Sequence, residues 1–243
     1  MFEKIRQTYL SKPPSDEVAN LPAGTDDLHQ RIERVRSEYR ELMEECVSRG
    51  GADPGKFIDK GMPQSQLFMV EIIPFIHRYY FNQPVNITKT ALDIGPQTFA
   101  GTKLLHDIHK KGTYSKLKLE ITAVDIVDAF VHLRELILPE IEFMKRDIYS
   151  IDDRTWDFVI CSHVIEHVPE PAKFLQKCRA LAKDFVIVAC PWNEDPITTT
   201  GHINTINKSF VRKVGGDDLH IYTNYSWGKD REVCIFRLPG SGK

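Results

Sequence analysis

The stretch Ala91-Leu-Asp-Ile-Gly-Pro-Gln-Thr-Phe-Ala-Gly-Thr-Lys-Leu-Leu105 reads as a short apolar strand ending in Asp93, a turn carrying Gly95 and Pro96, and a helix opening near Gly101. A strand that runs into a glycine-containing turn and then a helix brings backbone N–H groups and a bare Cα to the carboxyl edge of a sheet, where nucleotide-like ligands bind. The turn does not spell G-x-G-x-x-G, because Pro96 follows Gly95 and the next glycine is Gly101. A dinucleotide fingerprint is therefore not the natural reading.

Working outward, Lys118-Leu-Glu-Ile-Thr-Ala-Val-Asp-Ile126 is a second strand ending in an acid, Asp125, about one βαβ interval after the first. An acid there can accept both hydroxyls of a ribose. Ile141–Ile148 is a third strand, with Asp147 at its end, and Trp156–His163 a fourth. Four strand tips thus carry polar groups to one edge. The strands expected at 91–95, 118–125, 141–146, 156–161 and 185–190 alternate with helices at 100–111, 127–137 and 170–183, which implies a parallel sheet covered on both faces with right-handed crossovers. After a loop of about 17 residues, a helix at 208–214 leads to two β-rich runs, 219–225 and 232–238, with Trp227-Gly-Lys-Asp-Arg231 as the hairpin turn.

With Asp93, Asp125, Asp147 and the segment Ser162-His-Val-Ile-Glu-His-Val168 in this order, the chain resembles the class I S-adenosylmethionine-dependent methyltransferases, in their small-molecule and sugar branch. The resemblance spans roughly residues 62–238. It implies a doubly wound, mostly parallel seven-stranded sheet ending in an antiparallel hairpin, with S-adenosylmethionine as cofactor. Carried over residue by residue, Asp93 lies near the methionine end of the cofactor and the backbone of Gly95, Pro96 and Gln97 passes close to it. Asp125 binds the ribose hydroxyls, Ile126 covers the adenine, and Asp147 accepts from the adenine amino group beside Ile148. Ser162 completes the cofactor set. One departure stands out: the family turn offers two or three closely spaced glycines, and here Gln97-Thr98-Phe99 take their place. Gln97 or Thr98 is then expected to supply side-chain contacts.

His163, Glu166 and His167 fall on one face at i, i+3 and i+4 if the chain turns helical directly after the fourth strand. Three readings stand side by side: a histidine general base on a substrate hydroxyl, a metal site of H-x-x-E-H spacing, and a structural brace at the strand-helix corner. Metal-binding relatives carry an acid where His163 stands, so no metal is expected. The loop Cys190–Asn204 lies at the same edge; its Gly201-His-Ile-Asn segment resembles one that borders the acceptor in small-molecule and sugar methyltransferases, making His202 a third candidate histidine and Trp192 a candidate aromatic wall. Asn204 or Asn207 is a candidate cap for the following helix. Among aromatics of the helix before the first strand, Tyr79 and Tyr80 are the candidates to reach a ligand.

Residues 1–61 form a helical extension and residues 62–243 the catalytic domain in this reading. From Thr25, a candidate N-cap, the residues Leu28, Ile32, Val35, Tyr39, Leu42 and Cys46 recur at alternating spacings of four and three up to Gly50-Gly51. This narrow seam suits either pairing with another helix in a homo-oligomer or packing along its own domain. Pro74 is expected to kink or break the helix between 62 and 81. At 243 residues, 42% hydrophobic and 27% charged, the composition is that of an ordinary globular protein. The net charge of −2 and the absence of a Lys/Arg cluster argue against a nucleic-acid partner. Five cysteines without C-x-x-C spacing suit a reducing cytoplasm, and no apolar run suggests a membrane span. The expected reaction is methyl transfer to oxygen, less so nitrogen, of a small-molecule or glycan-like acceptor. The rival readings are a nicotinamide-dependent oxidoreductase and an inert cofactor-fold module.

Overall fold

The computed structural model describes residues 25–223 and 231–242. The part of the expected helical extension before Thr25, the capping role of the Thr25 side chain and most of the turn at 227–231 lie outside the described residues. The chain separates into two compact units, Met1–Leu42 and Met43–Lys243. Helix α1 (Thr25–Arg49) carries Leu28, Ile32, Val35, Tyr39 and Leu42 as exposed side chains, whereas Val47 near its end is fully buried.

Within the larger unit, a single turn at Pro54–Lys56 and a π-helical turn at Phe57–Gly61 run directly into helix α2 (Met62–Tyr79). Pro74 lies inside α2 without ending it. The seven strands are β1 (Ile87–Ile94), β2 (Leu117–Asp125), β3 (Glu142–Lys145), β4 (Trp156–Ser162), β5 (Ala182–Pro191), β6 (Asp217–Thr223) and β7 (Glu232–Pro239). The intervening helices are α3 (Ala100–His109), α4 (Val131–Ile137), α5 (Pro171–Leu181) and α6 (Lys208–Lys213). The strands form one sheet in the order β3-β2-β1-β4-β5-β7-β6. Strands β1 to β5 pair in parallel, while β7 is antiparallel to both β5 and β6. This is the mostly parallel, doubly wound sheet with a terminal hairpin that the sequence implied.

Alternation along the strands explains the two-sided core. Ala91, Ile121, Phe158, Ile160 and Ile187 face one layer with Ile72 and Ile76 of α2, Leu105 of α3 and Leu133 of α4. Leu92, Ile94, Val124, Val159, Cys161 and Val188 face the other, against Phe174, Leu175, Cys178 and Leu181 of α5. Burying each Val, Leu, Ile or Phe side chain among these is worth about 1.5–3 kcal/mol.

Two expected helices start differently. The chain after β2 does not become helical at 127, because the Asp125 carboxylate accepts the Val127 N–H at 3.1 Å and holds the backbone in a turn; α4 begins only at Val131. The chain after β4 does not continue as a helix either. His163 takes a left-handed φ of 53°, and a single 3-10 turn, Ile165–His167, follows.

Candidate active site

Strand order reverses between β1 and β4, and the crevice outside their carboxyl ends is where an open α/β sheet receives ligands. Two hollows occupy it. The first, about 500 Å³, is lined among others by Asp93, Gly95, Gln97, Ser162, His163 and His202. The second, about 400 Å³, lies against Asp125, Ile126, Asp147, Ile148, Tyr149 and Phe174. Gly95, His163 and His167 line both, so the two hollows of the cleft adjoin at these residues.

Asp93 ends β1 almost wholly buried and accepts the Thr102 hydroxyl at 2.6 Å. Burial pushes its carboxyl up to about 6; the Thr102 bond opposes this and the nearby Asp125 charge adds to it. Gly95 has φ +69°, and a Cβ there would stand 2.9 Å from Cγ2 of Val164, so only glycine passes without strain. Gln97 and Phe99 also have positive φ, 47° and 60°, a local strain of the kind that persists at ligand sites. Gln97 is exposed and lines the cleft. Thr98 does not: it is fully buried, with its methyl turned toward Gly61. Gly101 has a different task from the one its place in the turn suggested. A Cβ there would meet the Ser65 carbonyl oxygen at 2.5 Å, and the Gly101 N–H donates to Ser65 Oγ at 3.0 Å, so this glycine lets α3 seat against α2.

On the second side of the cleft, burial raises Asp125 while the N–H groups of Val127 and Ile126 pull it back. Ile126 is 69% exposed, an uncovered aliphatic surface at the rim. Asp147 accepts the Tyr149 N–H at 3.0 Å and caps the 3-10 turn Ile148–Ser150. Pro96 and Ile148 are buried beneath the two hollows. The Ser162 hydroxyl oxygen is buried with no hydrogen-bond partner among the described residues.

The histidines gather on the first side. The His163 ring lies parallel to Phe68 of α2, centroids 3.6 Å apart, with Nδ1 at 3.4 Å from Glu166 Oε1. His167 Nδ1 donates to the Gly201 carbonyl at 2.9 Å. His202 Nδ1 stands 2.5 Å from Glu194 Oε2, and the His167 and His202 rings meet edge to face at 4.9 Å. Burial opposes ionisation of Glu194, yet bonds from Thr199 and His202 outweigh it and hold its carboxyl at about 2. Asn204 clamps the turn below, its Nδ2 donating to the carbonyls of Ile165 at 3.0 Å and Val168 at 2.6 Å. Asn207 is the residue that caps α6, accepting from the Phe210 N–H.

Three sequence expectations are corrected. Trp192 does not wall the cleft: its backbone N–H continues the pairing of β5 with Glu232, and its side chain lines a separate hollow with Asn193, Glu194 and Arg231. Tyr79 and Tyr80 spend their hydroxyls on Asp218 and Asp184, near the amino ends of β6 and β5, away from the cleft. Conversely, Phe68, Gln64 and Ser65 of α2 line it, and Glu194 backs His202. The i, i+4 spacing of Gln64 and Phe68 was the available signal for the helix face; a loop acid eight residues before its histidine carries none.

Residues 92–189 match the family model described as a methyltransferase domain. No curated protein matches the chain. Among solved structures, the N-methyltransferase NodS of Bradyrhizobium japonicum WM9, in complex with S-adenosyl-L-homocysteine, superposes over 82% of this chain and 99% of its own, with TM-score 0.54 and 11% identity. The 1,6-didemethyltoxoflavin-N1-methyltransferase of Burkholderia thailandensis covers 88% and 90%, with TM-score 0.55 and 13% identity. The magnesium protoporphyrin IX methyltransferase of Synechocystis PCC 6803 covers 86% and 96%, with TM-score 0.51 and 13% identity. At these identities the likeness is one of fold. The match to a methyltransferase domain runs from the end of β1 into β5 and sets aside the nicotinamide-dependent alternative, and the fold is the one these S-adenosylmethionine-dependent methyltransferases share.

Proposed function

We propose that the enzyme transfers a methyl group to an oxygen, in preference to nitrogen, of a small-molecule or glycan-like acceptor. The observation that carries this reading is the meeting of two hollows at Gly95, His163 and His167, one lined by Asp125 and Asp147 and the other by Asp93 and His202. The residues present fit the cofactor. A buried, unpaired Ser162 oxygen, a buried Asp93 carboxyl and a bare Gly95 Cα that a Cβ would block all line the first hollow, and Gly95 lines the second as well. S-adenosylmethionine supplies a methyl group activated on a sulfonium. Asp93 takes its ammonium, the backbone of Gly95, Pro96 and Gln97 its methionine chain, and Asp125 its ribose hydroxyls. Ile126 and Ile148 enclose the adenine beside Asp147, and Ser162 offers a hydroxyl at the junction.

The acceptor then enters over His163, His167 and His202. Holding it in line with the methyl carbon can supply up to about 7–11 kcal/mol. A hydroxyl acceptor must also lose a proton, which a wall of three imidazoles and Glu166 suits; a neutral amine attacks through its lone pair and needs no such wall beforehand. Buried free thiols at Cys161, Cys178, Cys190 and Cys234 fit a reducing cytoplasm, and the exposed seam of α1 fits self-association. No helix among the described residues is long and apolar enough to cross a membrane. Mass spectrometry of products from isotopically labelled S-adenosylmethionine and a panel of hydroxyl, amine and carbon acceptors tests the reading. Label on oxygen is expected, and label confined to nitrogen or carbon would overturn it.

A further inference from the structure

Glu166, His167 and His202 offer one ligand atom each within 4.8 Å of one another. The Glu166 carboxylate is 2% exposed, and neither oxygen accepts a hydrogen bond among the described residues; the nearest imidazole nitrogen, His163 Nδ1, is at 3.4 Å. A buried carboxylate without donors is costly unless a positive charge meets it. The two histidines are set to help provide for one. A carbonyl and an ionised carboxylate can only accept, so His167 Nδ1 carries the proton it gives to Gly201 O. His202 Nδ1 stands 2.5 Å from Glu194 Oε2 and likewise donates to that carboxylate. In the neutral rings both Nε2 atoms are then left as lone-pair donors. Metal-binding histidines characteristically show this arrangement, with the second nitrogen bound to a carboxylate or carbonyl that fixes tautomer and ring orientation.

We propose that Glu166, His167 Nε2 and His202 Nε2 bind a divalent transition-metal cation on the acceptor side of the cleft. Two imidazoles and one carboxylate favour ions such as Zn²⁺, Co²⁺ or Mn²⁺ over Mg²⁺ and Ca²⁺. Metal–ligand bonds of about 2.0–2.2 Å put the donors of a tetrahedral site roughly 3.4 Å apart, so side-chain shifts of about an ångström complete the site. His167 is exposed, which gives the ion a route in, and three protein ligands leave coordination positions for the acceptor. The proposal rests on the reading of this wall as the acceptor side and refines it. A hydroxyl bound to the cation has a lowered pKa and gives its proton to solvent, with the imidazoles serving as ligands instead of proton acceptors. His163, stacked on Phe68, stays outside the ligand set. This reverses the sequence expectation of no metal and uses His202, which lies outside the H-x-x-E-H segment.

The test is titration of the chelator-treated full chain with Co²⁺, followed by visible absorption and by competition with Zn²⁺. The expected result is one Co²⁺ per chain, displaced by Zn²⁺, with affinity weakened at least about 100-fold in Glu166→Gln and His202→Ala and about 10–100-fold in Glu194→Gln, the range for losing an outer-shell partner. Metal-free Glu166→Gln should melt no lower than the parent, because the amide relieves a buried charge, so loss of Co²⁺ there cannot be ascribed to unfolding. No Co²⁺ binding, or binding unaltered by both ligand substitutions, would overturn the proposal. Parallel calorimetry with S-adenosylmethionine separates the two levels: cofactor binding without Co²⁺ binding rejects the cation site alone, and Co²⁺ binding without cofactor binding rejects the parent reading.

Discussion

The Thr102 hydroxyl donates to Asp93 Oδ2 at 2.6 Å, tying the first turn of α3 to the tip of β1. It is a single bond set against nearly complete burial, and burial dominates: the Asp93 carboxyl titrates near 6 instead of near 3.8. A raised folded-state value means that the stability Asp93 contributes is full below about 3.8 and is lost as pH rises through about 6. Cofactor binding runs the other way, since an ammonium pairs with the ionised carboxylate. Calorimetry should therefore find S-adenosylmethionine affinity falling as pH drops from 7.5 to 5. In Asp93→Asn the affinity should be weak throughout with this dependence gone, and the ligand-free variant at pH 7.5 should be at least as stable as the parent.

Gly95→Ala should cost about 1–2 kcal/mol from its left-handed φ. In a chain of this size that lowers the melting temperature by roughly 2–8 °C. The larger effect should be on cofactor affinity, because the new Cβ presses on Val164 at the junction of the two hollows. A melt and a cofactor titration on the same sample separate the two effects.

The sheet, its order of elements and the carboxylate tips were legible because alternation of apolar residues and the acid-ended strands are local patterns, as at Leu92–Ile94 and Ala123–Asp125. The corner after β4 was not. Whether Ser162-His163-Val164 continues as helix or turns through a left-handed residue depends on Phe68, nearly a hundred residues earlier, stacking on the imidazole. Thr98 against Gln97 was a choice between neighbours in an irregular turn, decided by packing of the Thr98 methyl near Gly61. The Glu194–His202 pair was invisible for the same reason: loop contacts obey no period.

Phe68→Ala removes the ring that holds His163 in place. Turnover should fall about 10-fold or more with a much smaller change in cofactor affinity, whereas Phe68→Tyr, which keeps a ring for the stack, should recover most of it. Steady-state kinetics with a responsive acceptor, read beside the cofactor titration, checks this.

Glu194 titrates at about 2 against an ordinary 4.5. A lowered value gives stability that is present above about 4.5 and lost as pH falls toward about 2. Glu194→Gln should thus be less stable than the parent at pH 7 and should lose less on acidification through that window. Denaturant melts at pH 7, 4.5 and 3 test the sign.

Asp125 is the residue proposed to hold the cofactor's ribose. Calorimetric titration of S-adenosylmethionine into the parent chain and Asp125→Ala, with unfolding monitored in parallel, measures it. The variant should stay folded and bind at least about 10-fold more weakly, since charge-assisted bonds to two hydroxyls are lost. Equal affinity in a folded Asp125→Ala would contradict the assignment of the strand tips to the cofactor.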